Sequence, residues 1–129
     1  MKRAGILNAE LNRYLSALGH TDTVVVADCG LPQPPAVPVV DLAVVFGVPS
    51  FEQVLRALAG ELVVESAEIA VESVDRNPAV GSLVESLWGT PTLVSHADFK
   101  LRCADARLLV RTGEATPYAN VILHCGVPF

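Results

Sequence analysis

Three histidines, His20, His96 and His124, stand in this 129-residue chain, and histidine is the side chain whose ordinary pKa lets it give or take a proton near neutrality. His20 is the leading acid/base candidate. It follows Gly19 and precedes Thr21-Asp22-Thr23, so it sits in a loop before the apolar run Thr23 to Ala27. The same position would also let it cap the preceding helix or interact with that helix's negative end. Asp28, just after the apolar run, could accept hydrogen bonds from the hydroxyls of a ligand, or could stabilise the turn into Gly30. Asp22 could orient His20 or cap the Thr-rich turn around it. Tyr118 and Asn120 can each donate and accept hydrogen bonds. They are equally natural as a packing residue after Pro117 and a turn residue. His96 could supply a further polar contact or simply meet solvent at a helix start.

Other chemistries lack their signals. No His-x-x-x-His or paired-cysteine spacing supports a metal site, and no metal or cofactor is expected. No Gly-rich phosphate cradle or nucleophile elbow is present.

The elements that would position these residues follow from the apolar pattern. Asn8 to Gly19 reads as a helix, capped by Asn8 and with Leu11, Leu15 and Leu18 on one face. Thr23 to Ala27 suits a strand buried on both faces. The four prolines between Leu31 and Pro38 predict an irregular loop. Val39 to Phe46 reads as a second strand, and Ser50 with Gln53 has capping-box spacing before a helix through Ala59. Another extended segment starts at Leu62, with no clear end in the mixed run from Glu65 to Ser73. Asn77-Pro78 supplies a cap and first residue for a helix to Trp88, whose stripe is Val80, Leu83, Val84 and Leu87. Thr92 to Val94 is a short strand, and Ser95 with Asp98 introduces a helix that carries His96 near its first turn. Leu108 to Val110 and Val121 to Leu123 complete the strands. This alternation predicts one α/β domain over residues 1–129, with three α/β/α layers around a mostly parallel mixed sheet.

Composition narrows the partners. A net charge of −5 with dispersed Lys and Arg opposes phosphate-backbone binding, so nucleic acid is not expected. Charged residues such as Asp28, Asp41, Glu52 and Glu61 interrupt every apolar stretch before it reaches the roughly 20 residues of a membrane span. No membrane insertion is expected. Asn8, Glu10, Asn12 and Arg13 deny the N-terminus the apolar run of a signal peptide, which predicts a cytoplasmic protein with reduced thiols. Hydrophobic residues make up 51% of the chain and mean hydropathy is +0.45. That is high for a small monomer and predicts apolar surface buried between subunits.

Three separated segments carry a family resemblance: Gly19-His20-Thr21-Asp22-Thr23, Ala27-Asp28-Cys29-Gly30-Leu31-Pro32 and Gly47-Val48-Pro49-Ser50-Phe51. With the terminal run Arg111 to Leu123 and Gly126-Val127-Pro128-Phe129, they resemble the D-ribose pyranase family from end to end. The likeness is weakest between Ser73 and Leu93, and Cys29 and His124-Cys125 depart from the family's pattern. The related L-fucose mutarotases share the general plan, but Thr21, Gly30-Leu31-Pro32 and Pro117-Tyr118-Ala119-Asn120 look more like the pyranase branch. The resemblance implies His20 as the acid/base residue, with Asp28, His96, Tyr118, Ala119 and Asn120 binding D-ribose. It also implies a homo-oligomer, a pentamer or a decamer of two stacked pentamers, with pockets near subunit boundaries. A mutarotase of L-fucose or another sugar, and a non-catalytic sugar-binding subunit, are the competing readings.

Overall fold

The run Thr23-Val24-Val25-Val26-Ala27 forms strand β1 (Thr23–Ala27), and its three valines are fully buried in the computed structural model, which describes residues Met1–Phe129. Five further strands flank it: β2 (Val39–Asp41), β3 (Val64–Ala70), β4 (Thr92–Val94), β5 (Leu108–Arg111) and β6 (Val121–Cys125). Their order across the sheet is β2-β5-β1-β6-β3-β4. β2, β5 and β1 run parallel to one another, as do β3 and β4, whereas β6 is antiparallel to both of its neighbours. The mostly parallel mixed sheet is therefore as expected. Its consequence is that the five parallel strands end where β6 begins, which gathers many chain turns at one end of the sheet.

Side chains alternate across the pleat, so Val24, Val26, Leu108, Val110, Val121 and Leu123 share one face. Against them pack Leu11 and Leu15 of α1 (Ala9–Leu15), Leu55 and Leu58 of α2 (Phe51–Ala59) and Val80 and Val84 of α4 (Pro78–Trp88). Each fully buried Leu or Val contributes about 1.5–3 kcal/mol, which fixes these helix faces to the sheet. Val25, Ala27, Leu109 and Ile122 face the other way, onto Phe99 of α5 (His96–Arg102) and onto Leu31 and Val37 of the proline-rich loop. The third layer is thus part helix and part irregular chain.

Several boundaries differ from the pattern reading. α1 stops at Leu15 rather than running to Gly19, because Ala17 and Leu18 N–H turn back to the carbonyls of Tyr14 and Leu15. The strand expected over Val39 to Phe46 ends at Asp41, whose side chain accepts the Ala43 N–H in a local turn. Residues 42–48 then leave the sheet, with Val44, Val45, Phe46 and Val48 exposed. The mixed run after Glu65 resolves into the rest of β3 and a short helix α3 (Ser73–Arg76) that the pattern did not announce. Asn77 makes no side-chain cap for α4; its amide donates instead to Thr116 Oγ1 and the Pro117 carbonyl, both at 2.9 Å. The Ser50–Gln53 capping box and the Ser95 cap form as read. No helix is long and apolar enough to cross a membrane.

Candidate functional site

Asp28 leaves the carboxyl end of β1 beside the start of β6, and Asn120 grips it from both sides. The Asp28 N–H donates to Asn120 Oδ1 at 2.9 Å, and Asn120 Nδ2 donates to Asp28 Oδ2 at 2.8 Å. Gly30 N–H donates to Asp28 Oδ1 at 2.9 Å, so the turn-stabilising reading of Asp28 holds. It does not exhaust the residue, since each carboxylate oxygen retains acceptor capacity. Asn120 is fully buried, and the Ala119 methyl lies in the core. Asn120 therefore acts first on Asp28, and Ala119 has only its backbone to offer a ligand.

Tyr118 takes the left-handed conformation, φ 57°, which turns the chain sharply before β6. Its ring meets the His96 ring edge-on, with centroids 5.0 Å apart and planes at 89°. His96 opens α5 directly after β4, and its backbone N–H donates to the Glu72 carboxylate at 2.9 Å. Its ring Nδ1 is buried without a protein partner, so it is available to a ligand or water. Asp28, Asn120, Tyr118 and His96 thus form one linked cluster at the carboxyl ends of the parallel strands, where ligands of open α/β sheets commonly bind.

The rim of this end is built by the 111–117 loop. Arg111 donates from Nε and Nη2 to the Cys29 carbonyl and from Nη1 to Asp41. Glu114 accepts from the N–H groups of Phe51, Ala115 and Thr116, which sets a carboxylate at the start of α2 where the helix dipole favours it. Between Asp28, Gly30, Phe46 and residues 114–117 lies a cleft of about 290 Å³, near the lower end of the sizes usual for small-molecule sites.

His20 is not in this cluster. It sits in the turn before β1, where the Thr21 N–H donates to the Cys125 carbonyl and the Cys125 N–H to the Asp22 carbonyl. That is the far end of the sheet: Thr23 pairs with His124, while Val26 pairs with Val121. From Asp22 to Asp28 the extended chain spans about 20 Å at the usual rise of a strand. Asp22 accepts the Gly19 N–H at 2.8 Å and so closes the turn. The partner of His20 is Glu65 of β3, with Nε2 and Oε1 3.0 Å apart. No spacing in the sequence could have pointed to Glu65, which lies in the segment whose limits were blurred. The Cys125 thiol beneath this turn is pushed above its ordinary pKa, chiefly by burial and then by Asp22, and remains protonated at neutral pH.

A mixed α/β sheet with a cluster of polar side chains at the carboxyl ends of its parallel strands and an exposed imidazole at the other end has the plan of an α/β protein with its polar groups set apart on two surfaces. The chain belongs to the RbsD / FucU transport protein family, whose model matches residues 1–128. It is 57% identical over 129 residues, covering all of both chains, to "D-ribose pyranase 1" of Rubrobacter xylanophilus. It is 50% identical, again over both full lengths, to "D-ribose pyranase" of Exiguobacterium sibiricum. Among solved structures, Bacillus subtilis RbsD complexed with D-ribose matches all of both chains at 44% identity and a TM-score of 0.95. The fucose mutarotase of Streptococcus pneumoniae in complex with L-fucose also matches over both full lengths, with a TM-score of 0.83 but 23% identity, which makes it a likeness of fold alone.

Proposed function

We propose that this chain interconverts the pyranose and furanose forms of D-ribose, β-D-ribopyranose and β-D-ribofuranose. The observation that carries the reading is full-length identity of 57% to a curated D-ribose pyranase. The reaction requires the C1–O5 bond of the hemiacetal to break, with a proton delivered to O5 and one removed from the anomeric hydroxyl. The O4 hydroxyl then attacks the freed carbonyl carbon, losing its proton as the carbonyl oxygen gains one. The atoms balance with proton transfer alone. His20 acts as the acid and base, a role that typically contributes about 10²–10⁴-fold. Asp28, His96 and Tyr118 bind and orient the sugar hydroxyls, Asn120 holds Asp28 in place, and Ala119 contributes backbone.

Since His20 and the Asp28 cluster lie at opposite ends of one sheet, the working site is formed between two copies, His20 coming from one and the cluster from its neighbour. The assembly is a ring-shaped homo-oligomer, pentameric or a decamer of stacked pentamers. The exposed Val44, Val45 and Phe46, each more than 60% accessible in the single chain, support association. Residues 1–129 act as one domain, and the location is read as cytoplasmic, in keeping with three free thiols.

Saturation-transfer NMR on equilibrated D-ribose, with L-fucose in parallel, tests the activity. Accelerated pyranose–furanose exchange of ribose is expected. Acceleration confined to fucose would place the activity in the mutarotase branch, and saturable ribose binding without acceleration would make the protein a sugar-binding subunit. Mixing two inactive variants, His20→Ala and Asp28→Ala, by co-refolding tests the shared site. About a quarter of the sites should recover both groups and hence activity if neighbours share them; no recovery from correctly assembled mixtures would refute the sharing.

A further inference from the structure

Glu65 occupies an irregular position in β3. Across the β3–β6 ladder, Val64 is opposite Cys125 and Ser66 is opposite His124. Two steps along β3 match one step along β6, so Glu65 is the extra residue of a β-bulge. Bulges re-aim a side chain that the regular pleat would send elsewhere, and they are frequent beside active sites. This one directs the Glu65 carboxylate to His20, with Oε1 3.0 Å from Nε2.

The opposing strand makes room for that path. A Cβ at Gly126 would lie 2.6 Å from Glu65 Cγ and 3.2 Å from its Cδ. Glu65 Oε1 lies equally close, at 3.2 Å, and because the nearest contact is to Cγ in the stem of the side chain, a larger residue at position 126 would displace the carboxylate. A half-exposed histidine–carboxylate contact of this kind, with both side chains 52% accessible, contributes little to stability. Bulge and glycine seat together therefore serve placement.

We propose that Glu65 is the positioning residue of the proton-transferring histidine. It holds the His20 ring and reserves Nδ1 for the sugar. A carboxylate only accepts, so Nε2 must carry the proton between them, and the lone pair of neutral His20 then sits on Nδ1. The inference rests on the reading of His20 as the acid/base group. The titratable groups around this turn are Glu65 from β3, Asp22 from the turn itself and Cys125 from β6. Asp22 is engaged by Gly19 N–H, and Cys125 is uncharged at neutral pH. The neighbouring His124 is directed to Glu68, which also binds Arg102. Glu65 is thus the charge in contact with the imidazole.

The test compares Glu65→Gln, Glu65→Ala and Gly126→Ala with His20→Ala, all checked for assembly. The Glu65 variants should lower kcat about ten- to a hundredfold, the range seen when the group behind a metal-bound imidazole is removed, with KM for D-ribose unchanged. Glu65→Asp should restore kcat in part. Gly126→Ala should copy the Glu65 defect with Glu65 still present. Nitrogen-15 NMR of His20 should show Nε2–H dominant in the wild type and a tautomer mixture in Glu65→Ala. Wild-type kcat and tautomer in Glu65→Gln and Glu65→Ala, with His20→Ala inactive, would overturn the positioning role while leaving the His20 reading intact. A fully active His20→Ala would overturn both.

Discussion

The two ends of this sheet are built on different terms. At the Asp28 end a fully buried Asn120 makes two hydrogen bonds to its neighbour, loop 111–117 is tied down by Arg111 and Glu114, and His96 is wedged against Tyr118. The His20 end is a surface turn whose working pair is half exposed. Sugar hydroxyls are numerous and similar, and discriminating among them demands rigid partners fixed before the ligand arrives. A proton carrier needs reach, a defined tautomer and closure from water at the moment of reaction. The contacts of the rigid end are complete within one chain; the proposed sharing of the site would have a neighbouring copy cover the open one.

The sharpest way to break this contrast is to remove the open end alone. His20→Ala should abolish most of the acceleration, about 10²–10⁴-fold in exchange rate, while D-ribose affinity measured by calorimetry changes by no more than a few-fold. A large loss of affinity would show that the Asp28 end does not bind by itself. Asn120→Ala attacks the other end. It leaves the Asp28 N–H and one carboxylate oxygen without their partner in a partly buried setting, at a cost towards the lower end of about 1–3 kcal/mol. Thermal unfolding should therefore fall by several degrees, with ribose affinity falling alongside it. An Asn120→Ala protein with native stability and only a kinetic defect would mean that the two ends do not divide the work in this way.

This division was only partly legible in the sequence. β1 announced itself through three consecutive valines, and the Ser50 and Ser95 caps through their spacing, since these are local effects written in neighbouring residues. The Asp28–Asn120 clasp joins positions 92 residues apart, and Glu65 reaches His20 across 45; no periodicity encodes such meetings. The β3 bulge was hidden for a related reason, as an extra residue in a ladder is defined only by the strand opposite. The strand expected through Phe46 failed because Val44, Val45 and Phe46 have the apolar character of a strand interior but no partner strand beyond Asp41, Val45 bridging only Val48 within its own turn. The family resemblance named His20 and the cluster together, while the strand expected over Thr23 to Ala27, with His20 before it and Asp28 after it, already set them at its opposite ends.

Backbone strain offers the finest comparison of the two ends, because each carries one non-glycine residue in the left-handed region: Thr21 at φ 71° and Tyr118 at φ 57°. That conformation costs an ordinary residue about 1–2 kcal/mol, more acutely for a β-branched one. Thr21 is exposed, and its contribution to the turn is a backbone N–H donated to the Cys125 carbonyl, which glycine would keep. Thr21→Gly should accordingly stabilise the protein by up to about 1 kcal/mol, the relief of strain exceeding glycine's greater freedom in the unfolded chain. In Tyr118→Gly the same relief is offset by loss of the half-buried ring and its edge contact with His96, worth about 0.5–1.5 kcal/mol beyond the area it covers. That variant should be no more stable than the wild type, and weaker for ribose. Paired melting curves decide the point. Opposite signs at the two positions would show strain tolerated for a side chain at the binding end and for a backbone turn at the catalytic end, whereas stabilisation at both would strip Tyr118 of its structural contact with His96.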